Sequence, residues 1–83
     1  MEQTQDLNIS YSKSATKSLA NIDAKLRERI IKGIKKLPSG DVKPLHNHTS
    51  AFRLRIGQYR ILFCQKDNYI NIDEVLPRGS AYN

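Results

Sequence analysis

The stretch "FRLRIGQYRILF", residues 52–63, reads as two β-strands joined by a tight turn. Apolar and aromatic residues alternate with other types on both sides of Gly57-Gln58. A two-residue loop with Gly first is the signal of a type II′ hairpin. That loop fixes the register. Ile56 faces Tyr59, Arg55 faces Arg60, Leu54 faces Ile61, Arg53 faces Leu62 and Phe52 faces Phe63. Side chains alternate with period two, so Phe52, Leu54, Ile56, Tyr59, Ile61 and Phe63 share an apolar face that should meet helices. Arg53, Arg55, Arg60, Leu62 and Cys64 share the other face. Nothing in the sequence is left over to cover that second face, so it is expected to be open.

Placing Arg55 directly opposite Arg60 costs something like 0.2–1 kcal/mol through like-charge repulsion. One substitution would relieve it. The arrangement makes sense if the face receives a phosphate backbone. Arginine's planar fork of donors suits phosphate oxygens, and it stays charged at any relevant pH. A face built only for solubility would mix both signs of charge with neutral polar residues.

Outward from the hairpin, the rest of the chain supplies the missing layer. "LNISY", 7–11, alternates Leu7, Ile9 and Tyr11 and reads as a strand. Ser12 or Ser14 caps a short helix carrying Ala15, Leu19 and Ile22 on one side. In "NIDAKLRERIIKGIKKL", Asp23 is an N-cap or first-turn acid, and Leu26, Ile30, Ile34 and Leu37 make one apolar stripe. Gly33 costs that helix roughly 1 kcal/mol relative to alanine and marks close packing. "PSG", 38–40, stops the helix, and 41–50 reads as a polar connection. Strands are expected at 51–56, 59–66 and 69–75, with Asp67-Asn68 compatible with a type I′ turn. The expected fold is therefore α+β: one small domain over 1–83, with 1–6 a flexible start. Its order is β-α-α-β-β-β, an antiparallel sheet with a two-helix hairpin on one face.

Composition narrows the class. The chain has 83 residues, 39% of them hydrophobic and 27% charged, which excludes wholesale disorder. No apolar run reaches the roughly 18–20 residues of a membrane span, and the polar, acidic N-terminus does not read as a signal peptide. Cys64 is the one cysteine, so no internal disulfide forms, and a reduced, cytoplasmic setting is expected. The formal net charge of +6 points to a polyanionic partner, either nucleic acid or an acidic protein.

The N-terminal strand, helical hairpin, "LPSGDVKPL", "FRLRIGQYRILF" and "PRGSAY" together resemble the RelE/ParE superfamily of toxins from bacterial type II toxin–antitoxin pairs. The resemblance covers about Ile9 to Asn83. Its most specific part is the R-x-R-x-G-x-Y-R run followed by a terminal R-x-x-x-Y. It implies a RelE-like, microbial ribonuclease-type fold and a ribosome-dependent mRNA endoribonuclease working in the A site. In that chemistry the ribose 2′-hydroxyl attacks the adjacent phosphate, releasing a 5′-hydroxyl and leaving a 2′,3′-cyclic phosphate. The residues matching the family's catalytic positions are Arg53, Arg55, Arg60, Arg78 and Tyr82. Lys43, Arg53, Arg55, Arg60 and Arg78 are the candidate RNA contacts. The family uses no metal or other cofactor. Implied partners are a cognate antitoxin, the ribosome and its mRNA, promoter DNA only through the antitoxin complex, and no membrane.

The chain also departs from the family. Some members carry lysines where Arg53 and Arg55 stand, and a lysine base is excluded here because arginine does not give up its proton. No histidine follows His48, and some members have their C-terminal arginine where this chain has Leu76. Tyr82 needs nearby arginines to act as a base at neutral pH. His46 and His48 read as loop residues, and without a third ligand they make a weak metal site. Cys64, on the arginine face, reads as a packing residue whose pKa nearby positive charge would lower. Asp73 falls on the arginine face, as a partner for Arg60 or as a base. Glu74 falls on the core side unless a bulge intervenes. Lys25, Arg27, Arg29, Lys32, Lys35 and Lys36 give the long helix a basic outer surface. Two alternatives accompany the nuclease: a ParE-like, non-enzymatic inhibitor of DNA gyrase, and a RelE-fold RNA binder with weakened catalysis.

Overall fold

A computed structural model of the chain describes residues 8–45 and 51–77. Its elements are β1 (Asn8–Tyr11), α1 (Lys13–Ala20), α2 (Ala24–Lys35), β2 (Asp41–Pro44), β3 (Ala51–Ile56), β4 (Tyr59–Lys66) and β5 (Tyr69–Pro77). The five strands form one sheet in the order β1-β5-β4-β3-β2. The expected 1–6 start lies outside the described residues. Among the described residues no helix is long and apolar enough to cross a membrane.

Both helices start where a side chain can accept from an orphan backbone N–H. Ser12 Oγ accepts from the Ala15 N–H at 2.9 Å, and an Asp23 carboxylate oxygen accepts from the Leu26 N–H at 3.3 Å. The apolar stripes then face one side of the sheet. Ala15, Leu19, Ile30, Ile34 and Leu37 pack with Leu54, Ile61, Phe63, Ile70, Ile72 and Val75 as the core. Phe52 and Phe63 stack across the hairpin with ring centroids 5.5 Å apart. A Cβ on Gly33 would collide with the Cδ1 of Ile56, so the glycine does mark close helix–sheet packing.

The β3–β4 register is the expected one, from Phe52 opposite Phe63 to Ile56 opposite Tyr59. Gly57 has φ +56°, as the first position of a primed turn requires. The second turn differs from expectation. Asp67 alone takes a positive φ, 55°, whereas a type I′ turn needs two such residues.

Two further features depart from the sequence reading. Residues 41–44, expected as connection, form strand β2, paired antiparallel with β3 from Asp41 opposite Arg55 to Pro44 opposite Phe52. This strand carries a single core-facing apolar residue, Val42, so its alternation is too short to stand out. Pro44 is tolerated because β2 is an edge strand. The sheet is also mixed. The helical hairpin carries the chain from one edge to the other, and the meander β2-β3-β4-β5 returns to β1, which pairs parallel with β5.

Candidate active site

The site is the sheet face turned away from the helices, and strand register dictates its layout. One cross-strand row reads Asp41, Arg55, Arg60, Leu76. The next reads Lys43, Arg53, Leu62, Glu74. Residues in a row lie on adjacent strands, about 4.8 Å apart, and the two rows are about 7 Å apart along the strands. Four of the candidate residues, Lys43, Arg53, Arg55 and Arg60, are thereby brought together on one face. Arg78 and Tyr82 lie outside the described residues, as do His46 and His48.

The expectation of an open face holds for Arg55 and Cys64, which are exposed, but not for Arg60; Lys43, on β2, is exposed as well. Arg60 is only 6% exposed and is engaged within the fold. The reason is position. β4 is the central strand, and Arg60 is flanked by Arg55 on β3 and Leu76 on β5, with Leu62 two residues along its own strand. Arg53 is half-buried, and its Nε is buried without a hydrogen bond among the described residues. The face therefore grades from a sequestered guanidinium at the centre to exposed cations towards the β2 edge.

Asp41 is a residue the sequence reading left out. It stands across from Arg55 on the side away from Arg60, so Arg55 has an acid on one flank and a base on the other. The only sequence signal for it was the alternation in "DVKP".

A β-bulge reshapes the far side of the face. Leu62 pairs with Glu74 but Phe63 pairs with Ile72, so Asp73 is the extra residue on β5. The core positions of β5 shift phase there, from Ile70 and Ile72 to Val75. Glu74 is thus turned off the core side, and its Oε1 accepts from Ser14 Oγ at 2.8 Å. Asp73 is held at both oxygens. Asn71 Nδ2 donates to Oδ1 at 2.6 Å and Cys64 Sγ donates to Oδ2 at 3.0 Å. Ser10 Oγ in turn donates to Asn71 Oδ1 at 2.8 Å.

This chain corrects the reading of Cys64 twice. The thiol is exposed and hydrogen-bonded rather than packed. Its pKa is raised, not lowered: the hydrogen bond to Asp73 comes first, then burial, then the carboxylate's charge. The nearest charged group is an acid rather than an arginine.

The basic surface of α2 is also thinner than expected. Arg27 turns back, its Nε donating to the Leu19 carbonyl at 2.8 Å and its Nη2 to the Ile22 carbonyl at 2.9 Å. It ties off the end of α1 instead of facing solvent. The Arg29 guanidinium lies over Gly57 of the β3–β4 turn. Lys25, Lys32, Lys35 and Lys36 remain exposed.

No family model and no curated protein matches this sequence. Solved structures do. A chain of the RelB–RelE antitoxin–toxin complex from Methanococcus jannaschii is 25% identical, with 88% of this chain and 94% of that chain covered and a TM-score of 0.75. A chain of the RelBE2 toxin–antitoxin complex from Mycobacterium tuberculosis is 19% identical, with 92% and 95% covered and a TM-score of 0.76. The isolated RelE toxin of E. coli is 11% identical, with 87% and 84% covered and a TM-score of 0.68. The fold is a small α+β domain with a helical hairpin on a five-stranded sheet. It is the fold of the RelE-like toxins, and by structure the chain is similar to members of that superfamily.

Proposed function

We propose that this chain is the toxin of a toxin–antitoxin pair and acts as an endoribonuclease that cuts mRNA in the ribosomal A site. The observation that carries the reading is the pairing of Arg55 with Arg60 on the sheet face opposite the helices, with Arg53 and Lys43 in the adjacent row. The exposed Arg55 and Lys43 beside half-buried Arg53 suit a phosphate backbone, since the planar donor fork of arginine matches phosphate oxygens. The likeness to RelE structures supports the same reading.

In this scheme the exposed Arg55 and Lys43 meet the RNA backbone. Arg60, fixed at the centre, stabilises charge that grows on the scissile phosphate as the 2′-oxygen attacks. The products are a 2′,3′-cyclic phosphate and a 5′-hydroxyl. Arg78 and Tyr82 complete the site, with Tyr82 stacking on a base or contacting the phosphate. Such a cationic face reads little sequence by itself, so the ribosome supplies selectivity by presenting the mRNA. A cognate antitoxin with an acidic or amphipathic segment restrains the toxin, and the pair reaches promoter DNA through the antitoxin.

The test is cleavage mapping on translating ribosomes carrying a defined mRNA, with the wild-type chain, Arg55→Ala and Tyr82→Phe. The expected result is cutting within the A-site codon that falls sharply with Arg55→Ala. Intact mRNA under conditions where the chain still arrests growth would overturn the nuclease reading and direct the assay to gyrase.

A further inference from the structure

Resting on the nuclease reading, the cleavage needs a group to take the proton of the 2′-hydroxyl, and no arginine on the face can do so. We infer that Asp73, the bulge residue of β5, is that general base.

Three observations carry this. First, the bulge. Asp73 is the residue inserted between Ile72, in the core, and Glu74, paired with Leu62 on the arginine face. A bulge re-aims a side chain, and bulges recur beside active sites. Second, the anchoring. Asn71 and Cys64 each donate to one carboxylate oxygen, and Ser10 steadies Asn71. A carboxylate has about four acceptor sites, so the two hydrogen bonds fix its direction and leave acceptor capacity for a hydroxyl. Third, the surroundings. The bonds to Cys64 and Asn71 hold the Asp73 carboxylate on the same sheet face as Arg53 and Arg60, at the end of the face beyond Leu62. The other carboxylates fit less well: Glu74 is drawn towards Ser14, and Asp41 is exposed on the edge strand opposite Arg55.

Asp73 takes the proton from the 2′-hydroxyl, and the 2′-oxygen forms a bond to phosphorus. The bond from phosphorus to the 5′-oxygen breaks. That oxygen leaves with the electron pair and receives a proton from water. Asp73 then returns its proton to solvent.

The titratable group touching Asp73 is Cys64 on β4, and Glu74 adjoins it on β5; the charged groups further along the same face are Arg60 on β4 and Arg53 and Arg55 on β3. From the other side β1 and the start of α1 bring the hydroxyls of Ser10, Ser12 and Ser14, with Lys13 beside them; Ser12 Oγ donates to the Asp73 carbonyl at 2.7 Å.

The experiment is single-turnover cleavage on stalled ribosomes from pH 5 to 9 with the wild-type chain, Asp73→Asn and Cys64→Ala. Thermal melting is measured alongside, with binding to mRNA carrying a 2′-deoxy nucleotide at the cleavage position. Asp73→Asn is expected to slow cleavage by about 10²–10⁴-fold with the acid limb of the pH–rate profile gone and binding retained. Cys64→Ala leaves the carboxylate held by Asn71 alone and is expected to slow cleavage several-fold with binding retained, because the base loses one of the two bonds that fix its direction. It keeps the proposal testable if Asp73→Asn fails to fold. A wild-type rate and profile in Asp73→Asn, or a wild-type rate in Cys64→Ala, would overturn this assignment alone. Absence of cleavage by the wild-type chain would overturn the nuclease reading together with it.

Discussion

Arg55 and Arg60 stand directly opposite each other across the β3–β4 ladder, yet one is exposed and the other is only 6% exposed. Identical side chains in one cross-strand pair therefore do different work. The exposed member keeps its guanidinium in solvent, and the buried member is held within the sheet.

Substitution should separate those two roles. Arg55→Ala is expected to leave unfolding free energy within about 0.5 kcal/mol of wild type, as at most exposed positions. It loses an acid neighbour in Asp41 and a basic one in Arg60 together. Arg60→Ala removes a buried, engaged side chain with its packed stem, and is expected to cost about 1–3 kcal/mol. Urea denaturation of both variants measures the difference. Equal effects would mean that the two positions are equivalent.

The two hydrogen bonds from Arg27 to the Leu19 and Ile22 carbonyls hold the helical hairpin closed. Arg27→Ala should destabilise the chain by about 1.5–3 kcal/mol, the range for bonds to a charged group. Arg27→Lys should recover only part of this, because an ammonium lacks the planar fork that reaches both carbonyls. Thermal melts of the two variants, compared with exposed Lys25→Ala as control, check it.

Gly33 and Ile56 should be energetically coupled. Gly33→Ala offers α2 roughly 1 kcal/mol of helix propensity, but the new methyl meets the Ile56 Cδ1. Ile56→Val removes that atom. The gain from Gly33→Ala is expected to be larger in the Ile56→Val background than in wild type. A double-mutant cycle read by denaturation gives the coupling directly, and a cycle that adds would remove the claim of close approach.

Cys64 should be a slow thiol despite its exposure. The thiolate is the reactive form, and its formation is pushed to higher pH by the proton shared with Asp73. Alkylation by iodoacetamide at neutral pH is expected to run below the rate of a free cysteine, and to speed up in Asp73→Asn. The sign is fixed by the acid: a neighbouring carboxylate opposes a second negative charge, and a neutral amide does not. Alkylation rates across pH measure both statements.

How much of this was legible in the sequence depended on how local each signal was. The register of β3 and β4 followed from Gly57-Gln58, because a two-residue loop leaves one pairing open and the ten residues flanking it agree with that pairing. The caps at Ser12 and Asp23 and the stripe of Ile30 and Ile34 were equally local. β2 was missed because Val42 alone carried its pattern, and Asp41 went unnoticed with it. The burial of Arg60 depends on Leu76 arriving beside it from β5, sixteen residues later in the chain. The bulge at Asp73 has no turn residue to announce it; Glu74 between two core positions was the one hint. Parallel pairing of β1 with β5 was beyond any local signal, since the partners are 61 residues apart, Asn8 with Tyr69 through Tyr11 with Ile72.

That last pairing sets a schedule for the newborn chain. β2, β3, β4 and β5 meet in sequence order, each finding its neighbour soon after it is made. β1 has only β5 as a neighbour, so it waits unpaired while α1, α2 and four more strands are synthesised. Local hairpins form early and distant pairings late, because closing a long loop costs entropy before any contact rewards it. The strands that carry the arginines are therefore assembled while the edge that steadies Asp73 through Ser10 and Asn71 is still open. Docking of β1 is the event that completes the sheet.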